Sequence, residues 1–77
     1  MALESFAVGD EVAILPEPSS SPEQVLGLGV LALVDEVTVQ LTDHRVYSLQ
    51  DRWGLTPRSF GFFVRATDEH RNALRRK

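Results

Sequence analysis

The chain has 77 residues and a formal net charge of −3, with 43% hydrophobic and 25% charged residues. That is the size and composition of one small globular domain, residues 1–77, with room for one core. It has no cysteine, which excludes disulfide scaffolds, thiolate zinc sites and cysteine nucleophiles; the acidic balance argues against a broadly basic nucleic-acid binder but leaves room for a local basic patch.

Residues 1–5 read as a loose N-terminus. Phe6, Val8, Val12 and Ile14 fall at even positions, interrupted by Gly9-Asp10. This pattern predicts a short extended entry, a turn at Gly9-Asp10 and a strand over Glu11–Leu15. Residues 16–23 hold three prolines and three serines without an apolar side chain, and read as a flexible surface loop. Residues 24–34 read as a strand, with Leu28, Val30, Ala32 and Val34 on one face and Gly27, Gly29, Leu31 and Leu33 on the other. A two-residue turn at Asp35-Glu36 leads into an alternating strand over residues 37–41. In that register Val34 opposes Val37, Ala32 opposes Val39 and Val30 opposes Leu41, all on the core face. Leu31 and Leu33 then point outward and need cover. The terminal helix is one candidate. A dimer or partner interface, with strand addition at an open edge, is the other.

Residues 42–44 form a second turn, and residues 45–49 a strand with Arg45, Tyr47 and Leu49 on one face. Residues 50–58 are a loop holding Trp53-Gly54 and Thr56-Pro57. Residues 59–65 form a last strand, rich in aromatics. Thr67 caps a helix towards Lys77, with acids in its first turn, bases in its last, and His70, Ala73 and Leu74 on its inner stripe. These elements predict a mainly β fold, a small five-stranded SH3-like barrel with one C-terminal α-helix over residues 67–77.

Charge is divided along the chain. Residues 1–40 hold seven acids and no Lys or Arg, while residues 41–77 hold four acids and all eight bases, so the halves carry −7 and +4. Internal pairing of acidic strands with basic ones accounts for this division, as does a dipolar surface with one basic face. Seven of the eight bases are arginine, which suits phosphate, carboxylate or aromatic contact.

The order Val8-Gly9-Asp10-Glu11-Val12, then Gly27-Leu28-Gly29-Val30, then a valine hairpin, resembles the opening of SH3-like barrels of the Tudor and KOW kind. There a Gly-Asp turn precedes the first strand and a glycine opens the second. The ending Ala66-Thr67-Asp68-Glu69-His70-Arg71, preceded by Trp53-Gly54, resembles that of small uncharacterised bacterial and phage proteins with a barrel followed by a helix. Together the resemblance spans about residues 6–74 and implies a fold. The KOW comparison implies RNA or ribosome contact, but here the first hairpin carries no basic residue and its loop is acidic.

No catalytic constellation stands out. No serine lies in a Gly-x-Ser-x-Gly elbow, and no Gly-rich phosphate loop is present. The adjacent acids Asp10-Glu11, Asp35-Glu36 and Asp68-Glu69 diverge on strands or turns, which makes them poor acid–base pairs. His44 on a turn and His70 on the helix read as structural, so no metal, no cofactor and no enzymatic activity are expected. The cluster that invites a functional reading is Arg45, Tyr47, Arg52, Trp53 and Arg58. Bases interleaved with aromatics can grip a peptide or a nucleic acid, or the aromatics can complete the core with the arginines covering them. The expectation is a cytoplasmic protein-interaction or adaptor module, with a protein partner or self-association. Accessory nucleic-acid binding is the alternative, using the Arg/aromatic face and the basic tail, Arg71 to Lys77. No membrane segment is expected, since the apolar run from Val25 to Val34 is about half the length of a spanning helix.

Overall fold

The computed structural model describes residues 5–77, so the expected looseness of residues 1–4 lies outside the described residues. The elements are β1 (Glu11–Leu15), a 3₁₀ turn (Pro22–Gln24), β2 (Gly27–Val34), β3 (Thr38–Leu41), β4 (Val46–Ser48), β5 (Phe62–Arg65) and α1 (Asp68–Arg75). The fold is mainly β, as the pattern predicts. Five antiparallel strands lie in the order β4-β3-β2-β1-β5 and curl into a half-barrel, with one helix at the C-terminus.

β2 serves both halves of the sheet. Its first four residues pair with β1, and from Leu31 onward it pairs with β3. The half-barrel is bridged by the chain itself. Tyr47 of β4 pairs with Gly54, and Trp53 pairs with Phe62 of β5. Four backbone bonds seal this bridge: Ser48 N–H to Trp53 O, Leu55 N–H to Val46 O, Gly54 N–H to Gly61 O and Phe63 N–H to Arg52 O. Residues 52–55 therefore occupy the place that strand addition between β4 and β5 would need.

β1 is buried on both faces, which is why apolar residues run unbroken after Glu11. Val12 and Ile14 join Leu31, Val39, Leu41, Tyr47 and Phe63 inside the curl. Ala13 and Leu15 join Val25 and Ala73 in a second cluster outside it, under the helix. An aromatic ladder runs through the interior. Phe6 meets Phe63 edge-on at 5.1 Å, and Phe63 meets Tyr47 edge-on at 5.7 Å.

The register of the β2–β3 hairpin differs from the expected one. Val34 pairs with Val39, Leu33 with Gln40 and Leu31 with Leu41, with an irregularity between Leu31 and Leu33. Ala32 is the extra residue of a bulge, and it reverses the alternation of β2. Leu31 is therefore in the core and not on an outer face, while Leu33 alone of the pair is exposed. The turn is longer than two residues because Asp35-Glu36 lacks the glycine that tight primed turns use. Asp35 donates its N–H to Thr38 O, and its carboxylate accepts the N–H of Glu36. The terminal helix does not cover Leu33; it sits on Ala13, Leu15 and Val25 instead.

Several expected boundaries shift for similar local reasons. The strand expected over residues 24–34 opens at Gly27 because Ser21 and Gln24 make a reciprocal cap on the 3₁₀ turn, which takes Gln24 out of the sheet. Residues 17–20 fold on themselves, with Ser20 N–H donating to Glu17 O and Ser20 Oγ accepting the Glu17 N–H. The last strand opens at Phe62 because Gly61 holds a left-handed backbone, φ 88°. The helix starts where its cap predicts. Thr67 Oγ1 accepts the His70 N–H, and His70 Nδ1 accepts the Thr67 N–H at 3.1 Å. His70 thus fills the place that Glu or Gln takes in an ordinary capping box.

The charged halves meet across the curl. Asp10 pairs with Arg65 at 3.2 Å, and Glu11 pairs with Arg71 at 2.6 Å. The Asp10 carboxylate also accepts the Ala7 N–H, and that bond, followed by Arg65, holds its carboxyl below the ordinary 3.8. A carboxyl depressed in the folded state adds stability that is full above its unfolded pKa and lost as pH falls through the folded one. Asp10→Asn is therefore expected to lower the urea midpoint slightly at neutral pH, as an exposed pair does. The gap should close at a pH well below 3.8. An equal gap at both pH values would refute the assignment.

Candidate interaction surface

The five residues of the expected Arg/aromatic face are dispersed by the fold. Tyr47 is fully buried, and its hydroxyl donates to Phe60 O at 3.0 Å. Burial pushes its pKa up, against a smaller opposing effect of Arg45. Arg45 is half-buried beside it. Its Nε lies 2.7 Å from Asp43 Oδ2, off the line of a hydrogen bond but within an ion pair. The guanidinium holds the Asp43 carboxyl below its usual range. Arg52 has a left-handed backbone, φ 67°, and its guanidinium lies 5.0 Å from the Phe6 ring centre and 5.9 Å from that of Phe63. Arg65 approaches the same Phe6 ring at 4.9 Å. Arg45, Tyr47 and Arg52 thus belong to the barrel's interior and its rim, as the core-completing reading anticipates.

Trp53 and Arg58 remain on the outside. Trp53 packs edge-on against Phe62 at 5.5 Å and is 40% exposed. Two apolar neighbours in the same segment are more open still: Leu55 at 54% and Phe60 at 66%. The sequence pattern places Phe60 in an aromatic strand and Leu55 in a loop. The signal for Phe60 was Gly61, whose left-handed backbone ends the extended run and turns Phe60 out of the ladder.

This exposed segment is held by specific bonds. Ser59 is buried, its Oγ accepts the Val46 N–H at 2.6 Å, and the same oxygen lies 2.7 Å from Thr56 Oγ1. Ser59 N–H donates to Thr56 O, closing the turn around Pro57-Arg58. Phe60 O is held by the Tyr47 hydroxyl. Gly54 packs so tightly on this loop that a Cβ there would lie 1.4 Å from Ser59 O. Two buried side chains and one glycine therefore fix a loop that displays Leu55, Arg58 and Phe60. Ordering a loop in this way removes the entropy cost that a flexible apolar segment meets on binding.

The histidines have local tasks. His44 occupies a left-handed turn position, φ 74°, with Nδ1 3.2 Å from Gln40 Nε2, and His70 caps the helix. Among the described residues no group of three or more His, Asp or Glu side chains is placed to hold a metal ion. An open cleft of about 290 Å³ lies between the 3₁₀ turn and α1, lined by Ser21, Pro22, Glu23, Glu69, Asn72 and Arg76. No helix among the described residues is long and apolar enough to cross a membrane. Compared with known proteins, the chain matches no family model, no curated sequence and no solved structure.

Proposed function

We propose that this chain is a non-enzymatic protein-interaction or adaptor module of the cytoplasm, and that its binding surface is the outer loop bearing Trp53, Leu55 and Phe60. The observation that carries this reading is the exposure of three large apolar side chains within eight residues, on a loop pinned by Ser59 and Tyr47. Single exposed apolar residues are ordinary, but a cluster on an ordered loop is what interaction sites display. Trp and Phe anchors are also the side chains that carry most binding energy at protein interfaces. The nucleic-acid alternative has less support, because Arg45 is paired with Asp43 and Arg52 lies against Phe6 and Phe63.

A photoreactive phenylalanine analogue placed at Phe60 tests the reading. It is expected to give a discrete protein adduct in cell extract, while the same analogue at the exposed Glu17 gives none. Excess unmodified protein should compete the adduct away, and the Leu55→Ser/Phe60→Ser variant should not. Equal labelling from both positions would sink the proposal. An adduct with nucleic acid, weakening steeply with salt, would replace it with the alternative.

A further inference from the structure

We infer that the partner of this surface is a second copy of the same chain, bound head to tail through the tip of the β2–β3 hairpin. The inference rests on the interaction reading above and names its occupant. The tip carries two exposed apolar side chains, Leu33 at 50% and Val37 at 57%, beside the exposed acids Asp35 and Glu36. The loop opposite carries Leu55 and Phe60 beside the exposed base Arg58. Each surface thus joins an apolar pair to a charge that the other lacks.

The two surfaces lie at opposite ends of β4. Val37 O accepts the N–H of Leu49, just past one end of the strand, while the Leu55 N–H donates to Val46 O at the other. Three residue steps, roughly 10 Å, separate these bonds. The two surfaces are therefore separate sites on one molecule. Charge supports the pairing. Of the acids in the first half of the chain, Asp10 and Glu11 meet arginines of the second half in ion pairs. Asp35 instead accepts the backbone N–H of Glu36, an arrangement that shapes the tip and leaves its charge facing outward.

Area sets the strength. Two or three partly exposed side chains amount to roughly a few hundred Å², against about 800 Å² per partner in a standard stable interface. The contact is therefore weak, with a dissociation constant on the order of 0.1–1 mM. A head-to-tail contact of unlike surfaces leaves one free surface at each end, so assembly grows with concentration unless the rotation between copies closes it.

Sedimentation of the purified 77-residue chain tests this with two variants. Glu36→Lys/Val37→Ser disables the tip and keeps Asp35 and the Val37 carbonyl that shape it. Arg58→Glu/Phe60→Ser disables the loop and keeps the Phe60 carbonyl that holds Tyr47. Wild type should rise above 8.6 kDa with concentration and fall back with added salt. Each variant alone should stay at 8.6 kDa. An equimolar mixture should form a species of twice that mass and nothing larger, because each copy retains one working surface. The charge-swapped chain Glu36→Arg/Arg58→Glu should regain salt-sensitive assembly, which separates a lost contact from a damaged fold. A wild type that stays monomeric up to about 1 mM overturns the inference, as do variants that assemble like wild type or a mixture that gives no heterodimer. If wild type is monomeric but the Phe60 adduct with another protein persists, the second-copy assignment falls and the interaction reading stands.

Discussion

Gly54→Ala is expected to unfold the protein, or to leave it so unstable that it is not recovered as a folded monomer. The reason is steric and local. A Cβ at this position would stand 1.4 Å from Ser59 O, 2.5 Å from Ser59 C and 3.0 Å from Ser59 Cβ. The nearest of these atoms are backbone, so no side chain can rotate away. The surroundings cannot yield cheaply either. Gly54 pairs with Tyr47 and donates to Gly61 O, and Ser59 holds the Val46 N–H. Relief would require the loop to leave β4, exposing Tyr47 and releasing the bridge between the strand edges. Losing these bonds and the aromatic packing costs several kcal/mol, out of a total near 4–12 kcal/mol for a chain of this length. Thermal melting followed by circular dichroism checks it. Gly27→Ala is the control, because a Cβ there meets nothing within 4 Å, and it should change the midpoint by only a few degrees. A Gly54→Ala variant that melts within a few degrees of wild type would show that residues 52–55 do not close the barrel.

How much of this was legible in the sequence differs from element to element. β1 and the helix start were readable to the residue, because an apolar run after Gly9-Asp10 and a Thr cap before two acids are local signals. The hairpin register was not. A bulge at Ala32 moves every later side chain of β2 to the other face, and nothing in an unbroken apolar run marks where the extra residue falls. That one residue decides that Leu31 is core and Leu33 is surface. The candidate site was half legible for a related reason. Trp53 and Arg58 are on the surface, but Tyr47 and Arg52 are drawn inward by the curl of the sheet. Whether an aromatic near arginines faces in or out depends on the closure of the barrel, which is set by pairings such as Trp53 with Phe62 that sequence periodicity does not encode.

Phe63→Ala should be the most damaging large-to-small change among the three phenylalanines at positions 60, 62 and 63, which composition alone treats alike. Phe63 is fully buried at the junction of Phe6 and Tyr47, its backbone pairs with Ile14, and its N–H donates to Arg52 O. Truncating it leaves a void that a curled five-stranded sheet cannot collapse, at a cost of about 3–5 kcal/mol. The damage should spread to the rim, since Phe6 would lose its edge-on partner and Arg52 one of its two rings. Phe62 is half-buried against Trp53, so its truncation should cost clearly less. Phe60 projects its ring into solvent and contributes to the fold only through its carbonyl, so Phe60→Ser should leave the urea midpoint nearly unchanged. The order Phe63, Phe62, Phe60 in denaturant midpoints is thus a direct readout of which side of the barrel wall each ring occupies. A Phe60→Ser variant as unstable as Phe63→Ala would place that ring inside the fold. It would remove the exposed anchor on which the proposed interaction surface depends.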